Sequence, residues 1–87
     1  MEGFMETRVA VISIIVEQGD AVETLNATLH EYGEYIIGRM GIPYREKNVS
    51  IISIAVDAPQ NTIAALSGRI GKISGVSVKT AYAPVKE

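Results

Sequence analysis

The sequence has 87 residues, which is enough for one small domain and too few for a second hydrophobic core. Its formal net charge is −2 and its pI is about 5.3, which disfavours direct nucleic-acid binding, since such domains carry a basic surface. It has no cysteine, so disulfides and thiolate metal sites are excluded, and a reducing cytoplasm is the expected location. No apolar run is long enough to cross a bilayer, so no membrane partner is expected.

The first half of the chain predicts a strand, a helix and a second strand. Arg8–Val16 is short and rich in β-branched residues, which is typical of a strand. Asp20 is a good residue to begin a helix, and apolar residues then recur at helical spacing, which predicts a helix over 21–32. Gly33 is expected to end that helix in a left-handed turn. The second strand is predicted over 34–42.

The second half predicts the same three elements again. A β-branched run predicts a strand over 49–57. Pro59 is well placed to open a helix, because the amide that proline lacks is not needed there. Helical spacing of apolar residues predicts that helix over 60–73, and the last strand is predicted over 76–82.

The two halves are copies of one unit. Val9–Glu17 aligns with Val49–Asp57, and the aligned segments share an identical Ile-Ser-Ile triplet. Two strand–helix–strand units in tandem predict the ferredoxin-like βαββαβ plan, an α+β fold with a four-stranded antiparallel sheet and two helices on one face. Right-handed crossovers then place the first and third strands in the centre. The alternative is that two such units look alike by chance.

A single domain over residues 8–83 is expected, with flexible tails at 1–7 and 84–87.

The two faces of the central strands are both apolar. Side chains alternate along a strand, so Ile12, Ile14 and Val16 share one face with their counterparts in the repeat, and that face is expected to form the core. The opposite face is also mostly apolar, and an uncovered apolar sheet face marks an interface. We therefore expect a homo-oligomer, a dimer or a tetramer, that uses this face or its edge. The candidate interface residues are Val11, Ser13, Ile15, Ile51, Ser53, Ala55 and, from the second strand, Ile37. The alternative is that the tails cover the face.

Simple alternation in the second strand separates two further sets of side chains. Tyr35, Ile37 and Arg39 would share one face of that strand. The other face would carry apolar residues that fit the core. Those residues are Ile36, Met40 and Ile42.

Binding of a small anion is the chemistry that the residue types favour most. Arg39 and Arg45 can each form a fork of hydrogen bonds to a carboxylate or phosphate. Tyr35 and Tyr44 offer flat apolar area and hydroxyl groups. The alternative is that both arginines form surface ion pairs with nearby glutamates or with a neighbouring subunit.

Catalysis and metal binding are not expected. His30 is the only histidine, and one histidine with two neighbouring carboxylates makes a poor transition-metal site unless an oligomer combines several copies. No nucleophile elbow and no glycine-rich phosphate loop are present. The loop after the first strand is acidic and lacks the arginine that small acyl-phosphate hydrolases of this architecture need. No cofactor is expected.

Several segments together resemble the iron-only hydrogenase system regulator family. They are Glu6–Val16, His30–Arg45, Ile51–Pro59, Leu66–Gly68 and Gly75–Ala81, and the resemblance runs from about residue 6 to 83. It implies an ACT-like domain that assembles into dimers or tetramers and has a regulatory role in bacteria. In topology the chain also resembles the effector-binding half of the nickel-responsive repressor, whose several metal-binding histidines are absent here.

The resemblance also implies a place for a ligand. ACT-like domains hold small ligands between subunits, near the loop after the first strand, which corresponds here to Gly19 and Asp20. The expected function is therefore non-catalytic sensing of a small effector, or binding of a protein partner, by a homo-oligomer. A purely structural interaction module without a ligand is the main alternative, ahead of a small enzyme or a metal sensor.

Overall fold

The computed structural model describes residues 6–17 and 19–84, so most of the two expected tails lies outside the described residues. The strands are β1 (Arg8–Val16), β2 (Ile36–Tyr44), β3 (Val49–Ala58) and β4 (Val76–Tyr82). The helices are α1 (Gly19–Glu31) and α2 (Gln60–Gly71), and short 3-10 turns occupy Gly33–Tyr35 and Arg45–Lys47. The order is βαββαβ and the sheet order is β2-β3-β1-β4, with antiparallel neighbours. The predicted ferredoxin-like fold, with β1 and β3 in the centre, is confirmed.

In the central pair of strands, β1 and β3, two serines that are equivalent in the sequence repeat lie opposite each other. Ser13 lies opposite Ser53, and Ile12 lies opposite Ile54. Ser13 and Ser53 are also equivalent in the sequence repeat, so the two halves of the molecule are related by a pseudo-two-fold axis that passes between them. Ile12 and Ile54 both point to the helix side of the sheet and are fully buried.

The hydrophobic core lies between the sheet and the two helices. The sheet contributes alternate residues of β1 and β3, as predicted, and they are at most 5% exposed. They are Ile12, Ile14, Val16, Ile52, Ile54 and Val56. The helices contribute Leu25, Leu29, Ile63, Leu66 and Ile70, which recur at the spacing that keeps one helix face turned inward.

A β-bulge interrupts the alternation of β2. Ile36 lies opposite Val56 and packs against the core, but the next paired residue is Gly38, which lies opposite Ala55. Ile37 is therefore an extra residue, and its side chain is 64% exposed. An extra residue in one strand shifts every later side chain to the other face.

The bulge overturns part of the predicted core. Met40 lies opposite Ser53 and Ile42 lies opposite Ile51, so both point to the face away from the helices. They are 57% and 49% exposed. The prediction that Met40 and Ile42 belong to the core is wrong, because it assumed unbroken alternation along β2. The prediction is confirmed for Ile36, which precedes the bulge.

The end of α1 also differs from expectation. Gly33 begins a 3-10 turn and is not left-handed, so that prediction is wrong. Within residues 6–17 and 19–84, the positions with positive φ are Gly75, at 82°, and Asn48, at 57°. Gly75 directly precedes β4, and Asn48 directly precedes β3. Each left-handed residue therefore forms the turn that leads into a strand.

The core assignment makes a direct prediction about stability. Ile54→Ala removes a fully buried side chain and should lower the free energy of unfolding by about 2–5 kcal/mol, because it deletes apolar contacts and leaves a cavity. Ile37→Ala is the matched control, since its side chain is 64% exposed in the bulge. Urea denaturation at one fixed protein concentration measures both. Equal losses for the two variants would contradict the assignment of faces.

Candidate functional site

A small pocket lies at one end of the sheet, between the β1–α1 connection and the β2–β3 connection. β1 and β2 both run antiparallel to β3, so their carboxyl ends lie at the same edge of the sheet. The pocket has a volume of ≈ 150 Å³. Its lining combines apolar side chains at the strand ends with polar groups from the two connections. The polar contributors are Glu17, Gly19, Tyr44, Arg45, Asn48 and Ser50.

Three of the six candidate ligand residues meet in this pocket. Gly19 comes from the start of α1, and Tyr44 and Arg45 come from the end of β2. Asp20 instead lines a separate groove between the two helices. Tyr35 precedes β2, whereas Tyr44 ends it, so the strand separates them by roughly 25–30 Å. One chain cannot combine both tyrosines around one small molecule.

Arg39 points away from the pocket and lies on the helix side of the sheet. It is opposite Ile54, and its Nη2 donates a hydrogen bond to Oδ1 of Asn26 on α1, at 3.1 Å. The prediction that Arg39 shares a face with Ile37 is wrong for the same reason as for Met40, because the bulge reverses the alternation between them. Arg39 therefore contacts α1.

The loop that carries Arg45 is held in place by its own polar groups. The backbone N–H of Asn48 donates to the carbonyl of Arg45 at 3.1 Å, and Asn48 adopts the left-handed conformation that closes the turn. The Tyr44 hydroxyl donates to a carboxylate oxygen of Glu46 at 2.8 Å. That hydrogen bond is the main reason why the pKa of Tyr44 is raised, because ionising the phenol would place two negative charges side by side.

Charges of both signs line the pocket. Arg45 supplies a guanidinium group, and Glu17 at the end of β1 supplies a carboxylate. Both side chains are exposed. Glu17 and Asn48 were not identified as candidates from the sequence, since an isolated glutamate and an isolated asparagine in polar turns carry no distinctive pattern. Only the convergence of the two connections shows that they belong with Arg45.

Tyr35 lies at the opposite end of the sheet, among aromatic and acidic side chains. Its ring centroid is 6.5 Å from that of Tyr32. Its pKa is raised, chiefly by a hydrogen bond to Glu34 and by the charge of that carboxylate. Together with residues at the start of α2, these side chains line a separate open groove.

The groove between the helices is larger, and one of its lining residues, Arg69, forms an ion pair with Glu31. It has a volume of ≈ 480 Å³ and includes Asp20, Thr24, Arg69 and Lys72. Arg69 forms two hydrogen bonds with the carboxylate of Glu31, at 2.8 and 3.2 Å. This contact lowers the pKa of Glu31. Arg69 therefore links the two helices.

Residues 6–17 and 19–84 contain no group of three or more His, Asp or Glu side chains that could hold a metal ion. His30 lies exposed in the last turn of α1. In the same part of the chain, no helix is long and apolar enough to cross a membrane.

Comparison with known proteins identifies the family. Residues 8–80 match the TM1266-like family, described as "Iron-only hydrogenase system regulator, putative". The chain belongs to this family. The uncharacterised protein TM1266 from Thermotoga maritima is 40% identical, the match covers 91% of this chain and all of that one, and the TM-score is 0.88. The resemblance seen in the sequence is confirmed.

More distant structures share the fold alone. The C-terminal domain of the MgtC protein from Mycobacterium tuberculosis is 12% identical, with a TM-score of 0.71 over 95% of this chain and 92% of that one. A formyltetrahydrofolate deformylase from Pseudomonas putida is 15% identical, with a TM-score of 0.62 over 87% of this chain and 29% of that one. No functionally curated protein matches the chain.

The pocket geometry predicts how its tyrosine titrates. Glu46→Gln should lower the pKa of Tyr44 towards that of a free tyrosine, because the carboxylate that opposes ionisation is gone. The pKa of Tyr35 should stay raised, since its cause is Glu34. NMR titration of the tyrosine ring carbons, assigned with Tyr44→Phe, measures both. A Tyr44 curve that Glu46→Gln does not move would show that the hydrogen bond does not form in solution.

Proposed function

We propose that this family member is a non-catalytic regulatory domain of the ACT-like type, a homo-oligomer that binds a small charged ligand in the pocket at the end of the sheet. The observation that carries the proposal is the convergence of Gly19, Tyr44 and Arg45 around one pocket. These residues come from connections far apart in sequence, one of them the position at which the family resemblance implies a ligand. The description of the family as a regulator supports a role in control rather than turnover.

The volume of the pocket limits the class of ligand. At ≈ 150 Å³ it is smaller than the roughly 300–1,000 Å³ typical of drug-sized ligands. It therefore suits a molecule the size of an amino acid or a short carboxylate better than a nucleotide. A subunit packed beside it could enclose such a molecule further.

The charges of the pocket suit a ligand with a negative and a positive end. Arg45 presents the planar donors that fit a carboxylate or a phosphate. Glu17, on the other connection, can accept hydrogen bonds from an ammonium group. An amino acid or a related zwitterion combines both groups.

An interaction module without a small ligand is the second candidate. It is favoured by the number of large apolar side chains exposed on one face of the sheet, which exceeds what an isolated domain needs. In this case the pocket would be only a gap between two connections. The thermal stability of the protein would then rise with a protein partner but not with small molecules.

Ligand-dependent stabilisation tests the proposal. The protein is mixed with each of the twenty amino acids, succinate and inorganic phosphate, and thermal unfolding is followed by circular dichroism. A ligand at ten times its Kd should stabilise the fold by roughly 1.4 kcal/mol, which raises Tm by about 6–11 °C in a domain of this size. Arg45→Gln should abolish the shift.

Arg39→Gln is the matched control, because Arg39 carries the same group but contacts α1 outside the pocket. It should leave the ligand shift intact. No shift with any compound, in a protein that is folded, would overturn ligand binding and favour the interaction module. A shift that both arginine variants abolish equally would show a non-specific effect of charge.

A further inference from the structure

The face of the sheet away from the helices carries the exposed large hydrophobic residues of the described chain. There are eight, between 40% and 64% exposed, on β1, β2 and β3. They are Val9, Val11, Ile15, Ile37, Met40, Ile42, Tyr44 and Ile51. We call this surface the open face. All of the candidate interface residues predicted from the sequence lie on it or, for Ile37, in the bulge at its edge.

Strand register arranges the middle of the open face in three rows that cross all four strands from β2 to β4, and Val9, Ile37 and Tyr44 lie outside these rows. The small row is Gly38, Ala55, Val11 and Ala81. The middle row is Met40, Ser53, Ser13 and Lys79. The large row is Ile42, Ile51, Ile15 and Ser77. The side chain in the large row is bigger than the one in the small row on β1, β2 and β3, whereas Ser77 and Ala81 on β4 are similar in size. The large row lies towards the pocket.

We propose that a second copy of the chain covers the open face, related by a two-fold axis that runs along the middle row. This axis places the large row of each copy over the small row of the other. The inference rests on the homo-oligomer in the proposed function and specifies which surface forms it and in which orientation.

Complementary size favours this axis over the other simple arrangement. Along the proposed axis, Ile51 packs over the partner's Ala55, and Ile42 packs over the partner's Gly38. An axis parallel to the strands would instead place large row over large row and small row over small row. That arrangement combines overpacking at one end of the interface with a void at the other, and both are unfavourable in a closely packed interior.

The middle row tolerates being placed on a symmetry axis. A serine hydroxyl both donates and accepts hydrogen bonds, so Ser13 and Ser53 can each pair with the same residue of the partner. A shallow depression of ≈ 270 Å³ lies over these serines and gives the hydroxyls room to approach. Lys79 is the only charged residue in the three rows, and the proposed axis places it over the partner's Lys79. Both lie on the edge strand β4, where their long stems can carry the two ammonium groups apart into water.

The area of the open face is enough for a dimer of moderate affinity. Four strands about 4.8 Å apart and roughly 25–30 Å long give a face of about 500 Å². Two such faces bury about 1,000 Å² in total, which is at the lower limit of specific interfaces. A concentration-dependent equilibrium between monomer and dimer is therefore expected.

A size swap between two residues tests both the surface and the orientation. Ala55→Ile places an isoleucine of one copy over Ile51 of the other, and Ile51→Ala places an alanine over Ala55. The double variant Ile51→Ala/Ala55→Ile again places an isoleucine over an alanine. The two positions are four residues apart on one strand, about 13 Å, so they do not touch within a chain. Any rescue by the double variant therefore arises between copies.

Sedimentation equilibrium of the wild type and the three variants measures the dimer Kd, and circular dichroism confirms that each variant is folded. The wild type should reach twice the monomer mass of 9.4 kDa. Each single variant should raise Kd by about ten-fold or more, because overpacking and cavities are both costly. The double variant should return Kd to within about three-fold of the wild type, as expected when a packing defect is compensated.

Each other outcome would overturn the inference. A wild type that stays monomeric shows that a second copy does not cover the face, and a ligand shift that still depends on Arg45 would then leave the ligand proposal standing. A dimer that none of the variants weakens has its interface elsewhere, such as a sheet edge or the helices. Single variants that weaken the dimer without rescue by the swap exclude the proposed axis.

Discussion

The antiparallel pairing of β1 with β3 is the constraint on which the rest of the structure depends. Its register places the equivalent serines Ser13 and Ser53 opposite each other. A slip of one residue would turn one of the two strands over, so that either Ile12 or Ile54 would leave the core and its burial would be lost. Together with the pairing of β2 to β3, the same register arranges the open face into rows and brings the ends of β1 and β2 together at the pocket. The pairings of β3 with its two neighbours thus position both the proposed ligand site and the proposed contact between copies.

The sequence was enough to predict the elements that repeat. The core residues of β1 and β3, the order of the strands and both helices could be predicted because periodicity and duplication give the same answer. β2 could not be predicted as well, since the position of its bulge depends on how it pairs with β3. Gly38 and Gly41 weaken its alternation, and nothing local shows that Met40 and Ile42 turn outward. The error matters, because these two side chains extend the open face across the edge strand.

The sequence predicted which types of residue form the candidate site, but not which of the candidate residues lie together. Tyr44 and Arg45 were identified for their chemistry, and the structure places them beside Gly19. Tyr35 and Arg39 have the same chemistry but cannot join them, because an extended strand separates its ends by many ångströms and the bulge turns Arg39 towards α1. The TM1266-like family is described as a regulator family, and the pocket and the open face are the surfaces where we propose that a small ligand and a second copy bind.

The most direct test of the proposed contact between copies is a methyl NOE measurement at a protein concentration at which the proposed dimer would form. Ile51 and Ala55 are too far apart within one chain to give an NOE, since they lie four residues apart on an extended strand. A sample that mixes isotope-labelled and unlabelled chains isolates the contacts between copies. The proposed axis predicts an NOE between the Ile51 methyl of one copy and the Ala55 methyl of the other. An intermolecular NOE from Ile51 to Ile15 in place of Ala55, or none from either residue, would contradict it.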